Sequence, residues 1–132
     1  MTAAPRWVSE VVVEAIHAGQ LREHGGRFGI RDQQRLEVAL VAPRRHWERD
    51  AESELTRLAA AYGHAIGNGR PFVDGNERVA FVTMVVFLGL NGLGLGADEA
   101  RVIATMSALV AGELSEEGLA RWLASHVVAG KV

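Results

Sequence analysis

The segment from Gly69 to Arg78, GRPFVDGNER, concentrates charged and amide side chains between two hydrophobic stretches. The carboxylate of Asp74 is a hard oxygen ligand, suited to a Mg²⁺ ion that also touches phosphates. The guanidinium of Arg78 can form a bidentate pair with a phosphate group, and the Asn76 amide is a further donor. The segment therefore predicts a phosphate or nucleotide-phosphate site.

The backbone of the same segment favours this interpretation. A strongly apolar helix is expected to begin at Asn76, and the first turn of a helix has unpaired N–H groups at the positive end of its dipole. Gly75 lets the backbone approach a ligand with no Cβ in the way. Taken singly, Asp74 is more often a helix cap and Phe72 a core residue. The combination at fixed spacing favours the anion site.

Hydrophobic patterning predicts an all-α fold, a compact bundle of about six helices. The expected helices run over 10–18, 33–41, 51–66, 76–91, 99–111 and 116–128. Four polar residues are expected as N-caps: Ser9, Asp32, Asp98 and Ser115. Three breaks are expected to end the first three helices: Gly19, Pro43 and the run 67–69. The glycine-rich connection 24–29 is expected to be irregular, with room for a short strand pair.

Composition limits the classes of protein to which the chain can belong. Its 132 residues predict a single domain over 1–132, and a net charge of −2 argues against a nucleic-acid or membrane partner. The absence of cysteine excludes disulfides and thiol catalysis, and predicts a cytoplasmic location. The longest apolar run, 79–90, is shorter than the roughly 20 residues that span a bilayer. Residues 1–7 do not resemble a signal peptide.

The pattern Pro71-Phe72-x-Asp74-Gly75-Asn76-x-Arg78 resembles the signature of the Fic/Doc family, in which a histidine precedes Pro-Phe. Three further stretches look like the Doc branch of that family: 7–10, 24–32 and 87–92. The resemblance covers essentially the whole chain. It implies a toxin of a toxin–antitoxin pair, restrained by a small antitoxin protein.

The resemblance also implies an activity and roles for residues. Doc-like proteins transfer the γ-phosphate of ATP to a threonine of elongation factor Tu, whereas the wider Fic family transfers AMP or other phosphate-containing groups to hydroxyls. The motif histidine is the general base. By resemblance, Asp74 would hold Mg²⁺, Gly75, Asn76 and Arg78 would hold the phosphates of ATP, and Phe72 would anchor the loop.

Position 70 departs from the family pattern, because Arg70 stands where the histidine is expected. A general base must accept a proton near neutral pH, and arginine has no acceptor and stays protonated. Loss of a general base costs roughly 10²–10⁴ in rate. The chain is therefore expected to be nearly inactive in the family reaction, although Arg70 can still bind phosphate. The otherwise intact loop favours a substitution at this position over general decay of the site.

Glu77 is the second departure, because Doc proteins have lysine there and many Fic proteins glycine. Three readings stay open: the carboxylate repels the phosphates, it becomes a second Mg²⁺ ligand, or it points outward in the first helical turn. A further possibility is that His64, on the preceding helix, replaces the missing base.

Three functional hypotheses follow. The chain is a Doc-like phosphotransferase impaired by Arg70, a nucleotidyl transferase, or a non-catalytic protein-binding module on the same fold. The chain has no match to the internal inhibitory helix Ser/Thr-x-x-x-Glu-Gly/Asn of self-restrained Fic proteins. Control is therefore expected to come from a separate antitoxin.

Overall fold

The computed structural model describes residues 3–130 and contains six α-helices and two short strands. In chain order these are α1 (Glu10–His24), α2 (Gln33–Arg49), α3 (Leu55–Gly69), α4 (Asn76–Leu90), β1 (Leu93–Leu95), α5 (Glu99–Val110), α6 (Glu116–His126) and β2 (Val127–Ala129). The predicted all-α class is confirmed. The single domain over 1–132 stays a prediction, and its ends, 1–2 and 131–132, lie outside the described residues.

The core is built around α3, which packs against α2, α4 and α6. Leu58, Tyr62 and Ile66 repeat at helical spacing and are fully buried. The Tyr62 hydroxyl accepts a hydrogen bond from the backbone N–H of Val8 at 2.9 Å, and this bond holds the segment just before α1 against the core. Burial raises the pKa of Tyr62, so the phenol stays neutral and suited to this contact.

The central helix α4 is buried along most of its length because it lies between α1 and α3. Val79, Ala80, Met84 and Phe87 have no exposed surface. Gly63 of α3 lets the two helices approach closely, since a Cβ at that position would lie 2.3 Å from the Met84 sulfur. The contact fixes α4, and with it the predicted phosphate-binding segment, relative to α3.

Two predicted helix ends are wrong because burial outweighs a local breaking signal. α1 continues past Gly19 to His24, since Leu21 is buried, and it ends instead at Gly25 with φ 78°. α2 continues past Pro43 to Arg49 although proline removes one backbone hydrogen bond. Pro43 lies on the buried face of α2, and Trp47, one turn further, packs against the core.

The remaining boundary errors lie at the ends of α3 and α6. α3 begins at Leu55 rather than 51 and includes the expected break 67–69, where Gly67 packs against Leu109. α6 ends at His126, and Val127–Ala129 instead pairs antiparallel with Leu93–Leu95. The connection 24–29 begins with the last residue of α1 and holds no strand pair. None of the helices in residues 3–130 combines the length and apolarity needed to cross a bilayer.

Replacing Gly63 by alanine is expected to lower the free energy of unfolding by roughly 1–3 kcal/mol, because the added methyl overpacks the buried Met84. Gly89→Ala is the matched control, since a Cβ there meets nothing within 4 Å and the position is helical. The control is expected to be neutral or to stabilise by up to about 1 kcal/mol. Urea unfolding measures both, and equal midpoints would contradict this packing.

Candidate functional site: a phosphate-binding loop at the start of the central helix

The loop between α3 and α4 is shaped by two left-handed residues. Arg70 caps the C-terminus of α3 with φ 51°, the one non-glycine residue of positive φ in the part of the chain the structure describes. Gly75 precedes α4 with φ 83°, which only glycine adopts readily. Between them, Phe72 is buried in the core, and its role as the anchor of the loop stays a prediction.

Asn76 closes this loop on itself. Its Oδ1 accepts the N–H of Phe72 at 2.9 Å, and its Nδ2 donates to the carbonyl of Phe72, also at 2.9 Å. Asn76 and Phe72 are both buried, so these bonds are shielded from water. The side chain predicted to hold phosphate is therefore occupied in shaping the loop, and the backbone N–H is what Asn76 offers to a ligand.

The first turn of α4 presents unpaired N–H groups. No residue within 3–130 accepts a hydrogen bond from the N–H of Gly75, Asn76, Glu77 or Arg78. These donors add to the positive end of the helix dipole, and together they attract an anion. The first turn of α4 therefore has free donors for an anion, and the anion site itself stays a prediction.

The segment 29–32 lies antiparallel against the loop and holds it from the other side. Ile30 pairs with Phe72 in an isolated β-bridge, and the N–H of Arg31 donates to Pro71 at 2.7 Å. The Arg31 guanidinium donates to the carbonyl of Arg70 at 2.8 Å and to that of Gly69 at 3.0 Å. These bonds secure the left-handed turn at Arg70.

Asp74 is held by residues from α1 and from the connection after it. Its Oδ2 accepts the backbone N–H of Arg27 at 2.7 Å, which lowers the pKa of Asp74, and the Arg27 side chain lowers it further. His17 stacks on Phe72 with the ring centroids 4.0 Å apart, and its Nε2–H donates to the Asp74 carbonyl. The Asp74 carboxylate is therefore ionised and fixed at neutral pH.

The loop opens into a cleft of about 590 Å³ between α1, α4 and α5. Its polar wall holds Arg70, Asp74, Gly75, Asn76, Glu77 and Arg78, which are all the site residues predicted from sequence apart from Phe72. Its apolar wall is formed by Phe81, Val82, Val102, Ile103, Met106 and Val110. The cleft thus joins a polar, partly charged surface to a hydrophobic one.

Two arginines of the polar wall are available to an anion. Neither Arg70 nor Arg78 has a carboxylate oxygen within 4.0 Å among residues 3–130, and both are exposed. Glu77 does not point outward, since its Oε1 accepts a hydrogen bond from the Ser107 hydroxyl of α5 at 3.2 Å. Glu77 is the acidic residue of the first turn of α4, as the outward reading expected, but its side chain is directed toward α5.

The structure places His64 and His24 in different surroundings. His64 does not line the cleft, and its Nδ1 lies 3.6 Å from Glu116 of α6, so it does not replace the missing base. His24 does line the cleft, because α1 extends one turn further than predicted. Sequence reasoning missed His24 and the supporting roles of His17, Arg27 and Arg31. Arg27 and Arg31 lie in the stretch 24–32, which carries part of the family resemblance and could have pointed to them.

The structure defines a small helical protein whose buried central helix begins, with unpaired N–H groups, at an open cleft. The family model of the Fic/DOC family matches residues 7–88, more than half of the chain. The chain therefore belongs to the Fic/Doc family.

Two curated relatives are Doc proteins. Toxin Doc of Mycolicibacterium smegmatis is 35% identical over 75 residues, which cover 56% of this chain and 58% of the relative. Protein kinase doc of Escherichia phage P1 is 27% identical over 88 residues, covering 67% of this chain and 70% of the relative. The chain thus spans rather more than half the length of the first relative, and the similarity supports the Doc branch.

Asn76→Ala is expected to open the loop, because it leaves the buried N–H and carbonyl of Phe72 without partners. Each unpaired group costs roughly 1–3 kcal/mol of unfolding free energy, and phosphate binding should be lost with it. Asn68→Ala is the matched control, since exposed Asn68 makes one bond, to the Leu109 carbonyl. Urea unfolding measures the stability of the two variants, and phosphate titration measures their affinity for phosphate. Equal losses in the two variants would contradict the role given to the hydrogen bonds between Asn76 and Phe72.

Proposed function

We propose that the chain is a Doc-type phosphotransferase scaffold that binds the phosphates of ATP with Mg²⁺ at the loop, and that transfers phosphate poorly as written. One observation carries this proposal. The unpaired N–H groups of α4 face a cleft that also holds the ionised Asp74, while Arg70 occupies the position of the motif histidine.

The residues present fit a magnesium ion that arrives with a nucleotide. The Oδ2 of Asp74 is used by Arg27, and its Oδ1 makes no hydrogen bond within residues 3–130. The same residues hold no group of three acidic, cysteine or histidine side chains able to form a cage for a metal. Mg²⁺ commonly binds one or two carboxylates together with substrate phosphates, and the bound ion would neutralise charge on those phosphates.

The roles of the arginines follow from the same geometry. Arg78 and Arg70 supply free guanidinium groups for phosphate oxygens, and the α4 N–H groups supply the remaining donors. Proton transfer from an acceptor hydroxyl is the step that the loop lacks, because Arg70 carries no acceptor atom. Phosphate binding without efficient transfer is the expected behaviour of this chain.

Target and partner are proposed from the relatives' names and from the resemblance. The names describe a toxin and a protein kinase, which support transfer of the γ-phosphate to a protein hydroxyl. Elongation factor Tu is the proposed target and a separate antitoxin the proposed restraint. A target in the translation machinery agrees with the cytoplasmic location predicted from the lack of cysteine. Transfer of AMP, as in the wider Fic family, is the alternative reaction.

Arg70→His is expected to raise the rate of phosphate transfer to elongation factor Tu by roughly 10²–10⁴, because it restores a group that accepts a proton. The measurement uses ATP labelled at the γ-phosphate, with Mg²⁺–ATP binding followed by calorimetry. Arg70→Lys is the matched control, since it keeps the charge without supplying a base. It should bind ATP and remain inactive.

The label separates the two reactions. Label from the γ-phosphate on the target supports the kinase, and label from the α-phosphate supports nucleotidyl transfer. If Arg70→His binds ATP but modifies no target, the assignment to elongation factor Tu is contradicted. If no variant binds nucleotide, the whole enzymatic proposal fails.

The apolar wall favours a second function, the docking of a partner protein. Ile103 is 57% exposed although it lies beside Met106 and Val110 on the cleft. Exposed apolar surface next to a functional cleft is typical of a protein-binding site. An amphipathic helix of the antitoxin would cover this wall and block the loop at the same time.

Ile103→Glu is expected to weaken binding of the proposed antitoxin by about tenfold or more, the loss of at least 1.4 kcal/mol. Val11→Glu is the control, since Val11 is 77% exposed on α1 and does not line the cleft. Calorimetry with the purified antitoxin measures both affinities. Equal weakening of antitoxin binding in the two variants, or no weakening in either, would indicate that the antitoxin binds another surface.

A further inference from the structure

The cleft contains a carboxylate already hydrogen-bonded to a hydroxyl. The Oγ of Ser107, on α5, donates to Oε1 of Glu77 at 3.2 Å, and both residues line the cleft. Glu77 belongs to the first turn of α4, whose N–H groups form the anion site. A nucleophile and a proton acceptor therefore lie together beside the phosphate-binding loop.

We propose that Ser107 is a site of self-phosphorylation, with Glu77 as its general base. This inference rests on the proposed binding of Mg²⁺–ATP at the loop. The Ser107 oxygen attacks the γ-phosphorus of the bound nucleoside triphosphate, and a new O–P bond forms while the bond to the β-phosphate oxygen breaks. Nucleoside diphosphate leaves, and the serine proton passes to Glu77.

The residues that line the cleft indicate Ser107 as the acceptor of the phosphoryl group. Ser107 is the one hydroxyl side chain among the described residues that line it. Of the other hydroxyls, Thr83 is buried in the core and Ser9 and Ser115 cap α1 and α6, and none of these three lines the cleft. Ser107 itself is exposed, so the phosphoryl group can be accommodated without unfolding α5.

Glu77 is also the carboxylate best suited to act as the base. Asp74 is engaged by Arg27 and assigned to the metal, and Glu99, the third carboxylate of the cleft, has no hydroxyl partner among residues 3–130. Protein kinases likewise use a carboxylate to accept the proton of the substrate hydroxyl. Because Glu77 is directed toward α5, it serves Ser107 rather than a hydroxyl of another protein.

This pairing gives the chain a route for phosphate transfer that does not need the motif histidine. Because Arg70 stands at the position of the motif histidine, a hydroxyl of another protein finds no base there. The Ser107 hydroxyl has a base, Glu77, within hydrogen-bonding distance. The reaction is intramolecular, so its first-order rate constant should not depend on protein concentration.

The test incubates the unaltered chain with Mg²⁺ and γ-phosphate-labelled ATP and maps the label by peptide mass spectrometry. Label is expected on Ser107, at a rate independent of chain concentration. Ser107→Ala should lose it, and Ser125→Ala, a control on α6 whose hydroxyl bonds to the Arg121 carbonyl, should keep it. Glu77→Gln should slow labelling by roughly 10²-fold or more, with the labelling rates compared at saturating ATP as established for each variant by calorimetry.

The outcomes separate this inference from the proposed function. ATP binding without label, or label at another residue, overturns self-phosphorylation at Ser107 and leaves the phosphate site standing. Full labelling in Glu77→Gln overturns the role of the base. Absence of ATP binding in the unaltered chain overturns both the inference and the proposed function.

Discussion

The site depends on the pair of hydrogen bonds between the Asn76 side chain and the backbone of Phe72. They fold the end of the loop back on the first residue of α4, so the N–H groups of that first turn face the cleft rather than the core. Phe72 is held in place by its own burial and by His17. Packing of α4 against α3 and anion binding by the loop are therefore parts of one arrangement.

In the proposed function, phosphate binding and proton transfer use different groups, and Arg70 is expected to impair only proton transfer. Phosphate binding relies on backbone N–H groups, Asp74 and guanidinium side chains, all of which are present in the cleft. Proton transfer to and from an external hydroxyl relied on a single side chain, and Arg70 stands in its place. A positive charge at that position favours phosphate binding, so we expect an arginine there to impair the proposed transfer and to leave the proposed phosphate site. Glu77 is hydrogen-bonded to Ser107 and is a possible proton acceptor for that hydroxyl.

The sequence predicted the helical class and the location of the site, because both depend on local patterns. Apolar residues at helical spacing indicated six helices, and the motif spacing brought Arg70, Asp74 and Arg78 together. Helix ends were predicted less well, since a glycine or proline was read as a break where burial of Leu21 or Trp47 extends the helix. The contacts between distant residues left no local signal. Ser107 lies thirty residues from Glu77 in the sequence. Nothing in the sequence indicated that the Asn76 amide forms its hydrogen bonds with the backbone of Phe72.

The central claim is that the amides of the first turn of α4 bind the phosphates of a nucleotide even with arginine at position 70. The most direct measurement is a titration of the isotope-labelled, unaltered chain with Mg²⁺–ATP, followed by the backbone amide resonances. The account predicts that the largest shifts occur at Gly75, Asn76, Glu77 and Arg78. Unchanged resonances at these four amides, or larger shifts at Arg45 and Arg49 in the groove beside α2, would contradict it.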